Sequence, residues 1–260
     1  MARRAVLFYV LALSCGAARA QTASAPLTPA QKALVGRMAE YAREYRRQLP
    51  DFVCTRITRR SRDKSGSGEF WQPLDTAEEE LTFVKGRESY RLVKYNGKPV
   101  KPKGQATSGF KSSGEFAGYL AEIFAQDANA EFQWERDEDS AGRHTSVFRF
   151  RVAREHSRST VGAGAKEEVV GIGGLLYAAG DTGAVERMHI QTDEPEGVKA
   201  GGITTDVRFV EVTIAGERYR LPGQAEARIG YKGRLLKREM EFRDYHKYAA
   251  DSSVVFEETK

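Results

Sequence analysis

The feature that most constrains this chain is a change in its hydrophobic period near residue 51. Before that point apolar residues recur at helical spacing, and after it they alternate with polar residues in short runs. Turn signals such as Asn96-Gly97 and Ala215-Gly216 separate these runs. The pattern predicts a mainly β (α+β) fold: a strongly curved antiparallel sheet, a half-barrel of about 9–11 strands, with an N-terminal helix and an inserted helix.

Two amphipathic segments are the predicted helices. The first covers about residues 29–48, and Thr28 and Gln31 form a capping box at its start. The second covers about residues 113–126, follows a second capping box in Ser112–Glu115, and is strongly apolar on one face. A curved sheet must cover its concave face, so we expect both helices to lie there.

The N-terminus predicts export from the cytoplasm. Arg3 and Arg4 supply positive charge, Ala5–Leu13 is a short apolar run, and Ala18-Arg19-Ala20 places small residues before a cleavage point. Residues 1–20 are therefore interpreted as a cleavable signal peptide. The apolar run is far shorter than the roughly 20 residues that span a bilayer, so no transmembrane segment is expected in the mature chain.

Cleavage at that point would leave residues 21–27 as a linker and residues 28–260 as a single domain, periplasmic or secreted. Cys15 would leave with the signal, so that Cys54 could form no internal disulfide. An alternative is cleavage before Cys15, at a degraded lipobox, which would leave a lipoprotein anchored through that residue.

The charge of the mature chain argues against a nucleic-acid partner. The whole chain has 41 Lys and Arg against 36 Asp and Glu, and residues 1–20 hold three of the arginines and no acid. The positive and negative charges of the mature chain are thus nearly balanced.

The locally basic segment Arg56–Lys64 is interpreted as a charged strand edge and turn. An anion or lipid-headgroup site is the alternative.

Motifs for catalysis, metal binding or cofactor binding are not found in the sequence. None of the four histidines lies two to four residues from another His or Cys, and there is no H-E-x-x-H or G-x-S-x-G motif. Gly171-Ile172-Gly173-Gly174 fails as a dinucleotide loop because Leu176 occupies the position of its last glycine. We therefore expect a protein that is not an enzyme and holds no cofactor or metal.

Several segments resemble a group of uncharacterised exported bacterial proteins. The most specific are Leu49-Pro50-Asp51-Phe52-Val53-Cys54-Thr55 and Ser112-Ser113-Gly114-Glu115-Phe116, with Leu81-Thr82-Phe83 and Phe132-Gln133-Trp134 beside them. That group has no known activity, so the resemblance implies no substrate. The order of elements is more distantly similar to the LolA-like lipoprotein-carrier fold shared with the periplasmic sensor RseB. That similarity implies an unclosed barrel whose helices cover an apolar cavity for acyl chains.

The leading functional hypothesis is a non-catalytic envelope protein that binds a lipid, an acyl chain or a lipoprotein in an apolar cavity between sheet and helices. Its predicted lining consists of apolar and aromatic residues of the inserted helix and the strands after it: Phe116, Tyr119, Leu120, Phe124, Trp134, Phe148 and Phe150. These side chains could equally form a filled core.

Two alternatives stay open. One is an envelope protein-interaction or sensor module without a small ligand. The other is a hydrolase with a dispersed site, for which His144 and His189 are the candidate residues.

Overall fold

A computed structural model describes most of the chain. The described residues are 25–101, 116, 118–140, 143–162, 167–197 and 200–249. The predicted signal peptide, Cys15, residues 21–24 of the predicted linker and the second capping box lie outside them. Within the described residues, no helix combines the length and the apolar character needed to cross a membrane.

One large antiparallel sheet of eleven strands dominates the structure. Its strands in chain order are β1 (Phe52–Asp63), β2 (Gln72–Val84), β3 (Arg87–Tyr95), β4 (Lys98–Pro99), β5 (Glu131–Ser140), β6 (Arg143–Val152), β9 (Ile172–Ala179), β10 (Val185–Thr192), β11 (Ala200–Ile214), β12 (Glu217–Tyr231) and β13 (Arg234–Lys247). A separate two-stranded sheet pairs β7 (Thr160–Val161) with β8 (Glu168–Val169). A 3₁₀ turn, Arg154–His156, precedes β7.

The strand order of the main sheet is β4-β3-β2-β1-β13-β12-β11-β10-β9-β6-β5. The first strand, β1, therefore pairs with the last, β13, from Phe52 opposite Lys247 to Asp63 opposite Leu235. Among the described residues β4 and β5 are the sheet edges, so the sheet is not closed into a barrel. The predicted mainly β class, the antiparallel sheet and its strand number are confirmed; the half-barrel curvature stays a prediction.

The first helix agrees with its prediction. Helix α1 covers Pro29–Gln48, and its capping box is present: Gln31 N donates to Thr28 Oγ1 at 3.3 Å, and Thr28 N donates to Gln31 Oε1 at 2.9 Å. The residues that α1 buries against the sheet recur at helical spacing. They are Leu34, Met38, Ala42 and Tyr45.

The second helix ends earlier than predicted. Helix α2 covers Gly118–Ile123, whereas the sequence pattern extended the helix to residue 126. The chain leaves the helix because its last turn tightens: Ala125 N bonds to Glu122 O at 3.2 Å, three residues back, and Asn129 then adopts φ 46°. The start predicted at residue 113 lies outside the described residues.

The two faces of the main sheet differ sharply in chemistry. The face that packs against α1 and α2, here called the inner face, carries the main apolar cluster, including Cys54, Leu81, Val207 and Met240. The opposite, outer face carries ion pairs between neighbouring strands, such as Arg149–Glu135, Arg91–Glu80 and Arg187–Asp206. This alternation explains why the sequence shows a period of two after residue 51.

A second, smaller cluster lies at the other end of the inner face. Val161 and Val170, beside β7 and β8, pack on Ile229, and Ile203 and Leu236 lie against them. The inner face is thus covered by helices at one end and by the small sheet at the other.

Candidate functional site

An aromatic socket on the inner face holds one ring from the segment before α2. Phe116 lies 5.4 Å from Phe52, 6.3 Å from Phe83, 5.2 Å from Phe242 and 6.5 Å from Tyr245, measured between ring centroids. Three strands supply the four socket rings: β1, β2 and β13. Phe116 has no exposed surface, so it fills the socket completely.

The socket is built by the sheet itself. Phe52 stacks on Phe83 at 5.1 Å and contacts Tyr245 at 5.4 Å. Tyr245 is further fixed because its hydroxyl donates to Pro222 O at 2.6 Å. None of the four socket rings was predicted as a site residue, because nothing in the sequence tells that β13 lies beside β1.

Five more of the predicted lining residues lie in or against the same apolar cluster. Leu120, Phe148 and Phe150 are buried in it. Tyr119 and Phe124 are partly buried against it, and Phe124 stacks on the ring of Phe132 at 5.4 Å. The structure thus brings six of the seven predicted residues, counting Phe116, to one core; their role in lining a ligand cavity stays a prediction.

Trp134 is the predicted residue that the structure places apart. It pairs with Phe148 across β5 and β6, but β5 is an edge strand and 41% of Trp134 is exposed. Its indole Nε1 donates to Asp137 Oδ1 at 3.4 Å. A sequence pattern shows which face a strand residue takes but not whether its strand has a neighbour on both sides.

The inner face becomes polar beyond the socket. Two residues along β1 from Cys54, Arg56 is 5% exposed and donates through Nε and Nη2 to Glu79 Oε2 at 2.9 and 2.7 Å. Its guanidinium also lies 3.9 Å from the centroid of the Tyr90 ring. The interpretation of this basic segment as a strand edge is wrong, because β1 lies between β2 and β13.

Further polar residues continue this band toward the small sheet. Arg60 pairs with Asp75 on β2 and lies opposite Arg238 on β13, which is 7% exposed. Thr58 and Thr205 are each 1% exposed, and their hydroxyls have no hydrogen-bond partner among the described residues. We call Arg56, Glu79, Arg60, Asp75 and Arg238 together the polar band.

The outer face contains two open depressions. One, of about 670 Å³, lies over β10–β13 and β1, and the other, of about 720 Å³, lies over β5, β6, β9 and β10. His189 borders both, and Phe150 is the predicted residue that borders the second. Both are lined mainly by charged and polar residues, unlike the predicted apolar site.

Asp206 is an acid of the first depression that contacts two basic side chains. Arg187 Nη2 lies 2.7 Å and His189 Nδ1 3.5 Å from its Oδ2. Partial burial raises the pKa of Asp206, but hydrogen bonds from His189 and Arg187 outweigh that effect and lower the pKa to about 2. The carboxylate therefore stays charged at neutral pH and holds the Arg187 and His189 side chains in place.

The described residues hold no group of three or more His, Cys, Asp and Glu side chains that could bind a metal ion. Cys54 is 1% exposed, and burial raises the pKa of its thiol to about 12. A thiol that remains protonated at neutral pH is a poor nucleophile. His144 lies 3.4 Å from Asp139 in an exposed pair rather than in a cleft.

Comparison with known proteins finds structural likeness and no sequence family. No family model matches the chain, and no curated protein matches it. The chain is distantly similar to LolA-like proteins. A LolA superfamily protein of Nitrosomonas europaea is 12% identical, with a TM-score of 0.36, over 82% of this chain and 92% of its own.

Two other solved structures are similar at the same level. A domain of Vibrio parahaemolyticus described as an outer membrane lipoprotein-sorting protein is 11% identical, with a TM-score of 0.41, over 86% of this chain and 95% of its own. A DUF1329 family protein of Desulfovibrio piger is 10% identical, with a TM-score of 0.39, over 85% of this chain and 94% of its own. Likeness this distant assigns no function.

The buried Arg56–Glu79 pair should be sensitive to the loss of one partner. Glu79→Leu is expected to lower the free energy of unfolding by roughly 3–5 kcal/mol, because it leaves the Arg56 charge buried and unpaired. The double change Arg56→Met with Glu79→Leu should cost less than the single change. Urea unfolding measures both. Glu80→Leu, which breaks the exposed Arg91 pair on the other face, is the matched control and should cost about 1 kcal/mol or less. A single change no costlier than the double change would contradict this reading.

The Asp206 cluster should make stability depend on acid pH. A carboxyl whose pKa is lowered by folding stabilises the protein above its unfolded pKa and loses that effect as pH falls through the folded value. Asp206→Asn should therefore lower the free energy of unfolding by roughly 2 kcal/mol at pH 7. The difference in free energy of unfolding between the variant and the unchanged protein should narrow below about pH 4 and vanish near pH 2. Denaturant unfolding at a series of pH values tests this, with the exposed Asp139→Asn as control. A difference that stays constant with pH would count against the prediction.

Proposed function

We propose that this protein is an exported, non-catalytic protein of the cell envelope that binds the apolar chain of a lipid, a fatty acid or a lipoprotein on the inner face of its sheet. The observation that carries this proposal is the aromatic socket, in which the Phe116 ring packs against four other rings. We call Phe116 the plug, because its ring fills the socket until an acyl chain takes its place.

An acyl chain suits the socket for a simple physical reason. Withdrawal of Phe116 exposes four aromatic rings, and each buried aromatic side chain contributes about 150–250 Å² of apolar contact. A hydrocarbon chain that enters recovers that burial at about 0.8 kcal/mol for each CH₂ group removed from water. Exchange of one apolar occupant for another therefore costs little.

The short helix that follows Phe116 is suited to act as a lid. A six-residue helix has little stability of its own, so its position depends on what it packs against. Its C-terminal end is anchored, since Glu122 accepts hydrogen bonds from Ser157 Oγ at 2.8 Å and from Ser159 Oγ at 2.9 Å. The contacts that hold Phe116 are with the socket rings, so the Phe116 end can swing while the Glu122 end stays fixed.

The polar band next to the socket fits a ligand with a polar head. Arg56 lies four residues along β1 from Phe52, a distance of roughly 13 Å, and pairs across the sheet with Phe242 of the socket. An apolar pocket that leads into a band of arginines and carboxylates matches a molecule with an apolar tail and a charged or polar headgroup. We therefore favour an amphiphile over a purely apolar ligand.

Binding of a fluorescent fatty acid to the purified mature chain tests this proposal. The unaltered protein should bind the probe, and Phe116→Ala should bind it roughly tenfold more tightly, because the plug no longer competes. Phe52→Asp should abolish binding by placing a charge in the socket. Phe70→Ala removes the same ring from an exposed site and should leave the affinity unchanged.

Circular dichroism must accompany these titrations, because loss of a core phenylalanine costs roughly 3–5 kcal/mol of stability. Failure of both the unaltered protein and a folded Phe116→Ala variant to bind any acyl probe would reject the proposal.

A protein-interaction or sensor module is the second candidate, and the filled core favours it. Phe116, Leu120, Phe148 and Phe150 are each at most 2% exposed, so no ligand is needed to complete the core. The exposed Trp134 on edge strand β5 would then mark a surface that accepts a partner. Cross-linking in the cell envelope, with Trp134→Ser as the variant that loses the partner, separates this candidate from acyl binding.

A further inference from the structure

The end of β1 opposite the socket carries exposed aromatic and basic side chains on two adjoining turns. One turn joins β1 to β2 and the other joins β12 to β13. We call this surface the hairpin tip; its residues are Lys64, Phe70, Trp71, Tyr231, Lys232 and Arg234. Phe70 is 68% exposed, the highest value among the large hydrophobic side chains of the described residues, and Tyr231, on the adjoining turn, is 43% exposed.

The two turns form one continuous surface. A Cβ atom on Gly66 would lie 2.9 Å from Gly233 O, so the two backbones touch. Gly68 lies against the side chain of Leu235 on β13. Gly66 also has φ 75°, a conformation that favours glycine, and so allows the close approach.

The β1–β2 turn is held in one conformation. The buried Asp63 carboxylate accepts hydrogen bonds from Ser65 N at 2.8 Å and Gly68 N at 2.7 Å, and also from the Ser65 and Ser67 hydroxyls. Trp71 Nε1 donates to Gly68 O at 2.9 Å. Phe70 is therefore presented by a rigid turn, and binding through it costs little conformational entropy.

Positive charge surrounds the exposed rings. Lys64, Lys232 and Arg234 are exposed on the two turns, against one exposed acid, Glu69. The Lys232 ammonium lies 5.0 Å from the centroid of the Tyr231 ring. Behind these, the ring of Trp71 packs against Lys237 and Arg228, whose own charges are paired with Glu239 and Glu226.

We propose that the hairpin tip docks this protein on the surface of an anionic lipid bilayer. Phe70 and Tyr231 enter the headgroup region, and Lys64, Lys232 and Arg234 lie against lipid phosphates. Tyr rings and long basic side chains concentrate at the boundary between water and membrane, because one part of each is apolar and the other polar. The Phe70 ring adds apolar surface that leaves water when it enters the bilayer. Two turns whose backbones touch and whose exposed side chains are aromatic and basic suit the surface of an anionic bilayer.

This docking surface is independent of the acyl site. β1 has 12 residues and spans roughly 40 Å, with the socket at its start and the hairpin tip at its end. The tip can therefore be altered without touching the socket, and the two proposals can fail separately.

Co-sedimentation with vesicles tests the proposal. The mature chain should bind vesicles of phosphatidylethanolamine and phosphatidylglycerol at low salt, bind less as salt rises, and bind vesicles of phosphatidylcholine alone much more weakly. Phe70→Ser should weaken binding roughly tenfold, and Lys232→Glu should weaken it by roughly fivefold or more.

Two variants at the opposite end of the sheet are matched controls. Tyr248→Ser removes an aromatic residue that is 37% exposed, and Arg218→Glu reverses an exposed charge at the start of β12. Both should bind vesicles as the unaltered protein does. All four variants should keep the affinity for the fluorescent fatty acid, which shows that the socket is intact.

Tryptophan emission gives a positional readout. The chain has two tryptophans, so Trp134→Phe leaves Trp71 as the reporter. Its emission should shift to the blue on addition of anionic vesicles and should be quenched by brominated lipid. Absence of sedimentation at low salt, equal binding by tip and control variants, or unchanged Trp71 emission would each overturn the proposal.

Discussion

The pairing of β1 with β13 is the interaction on which the rest of the structure depends. It joins the four N-terminal strands of the sheet to the seven that follow. It also brings Phe52 of β1 against Tyr245 of β13, and Phe242 of β13 closes the socket around Phe116. The aromatic socket therefore exists only once β1 and β13 have paired. Such a contact closes most of the chain into a loop, and its entropic cost must be met by the apolar burial that it completes.

The same strand pair also defines the chemical gradient of the inner face. Along β1 the inward residues change from Phe52 and Cys54 to Arg56 and then Arg60, while β13 changes from Phe242 to Arg238. Burial of arginines in the middle of a sheet is costly unless each has a partner, and β2 supplies the carboxylates of Glu79 and Asp75. A pocket and a charged band thus lie side by side on one continuous surface, which is why an amphiphile is the proposed ligand.

Much of the fold could be predicted from the local sequence pattern, because helix capping and the spacing of apolar residues depend on residues that are close together in the chain. The capping box of Thr28 and Gln31 located the start of α1, and the period of two located the strands and their buried faces. Neither signal reports which strands are neighbours. For that reason the sequence could not predict the burial of Arg56 or the rings that Phe116 contacts, although Phe116 itself was predicted as a site residue. Trp134 shows the same limit, since its exposure follows from the edge position of β5.

If Phe116 is a replaceable plug in the aromatic socket, a crystal structure of the protein with bound palmitate will show it. We expect an acyl chain between the rings of Phe52, Phe83 and Phe242, with the Phe116 ring withdrawn and the Glu122 end of α2 still anchored. A ligand bound elsewhere, with Phe116 still in contact with all four socket rings, would contradict it.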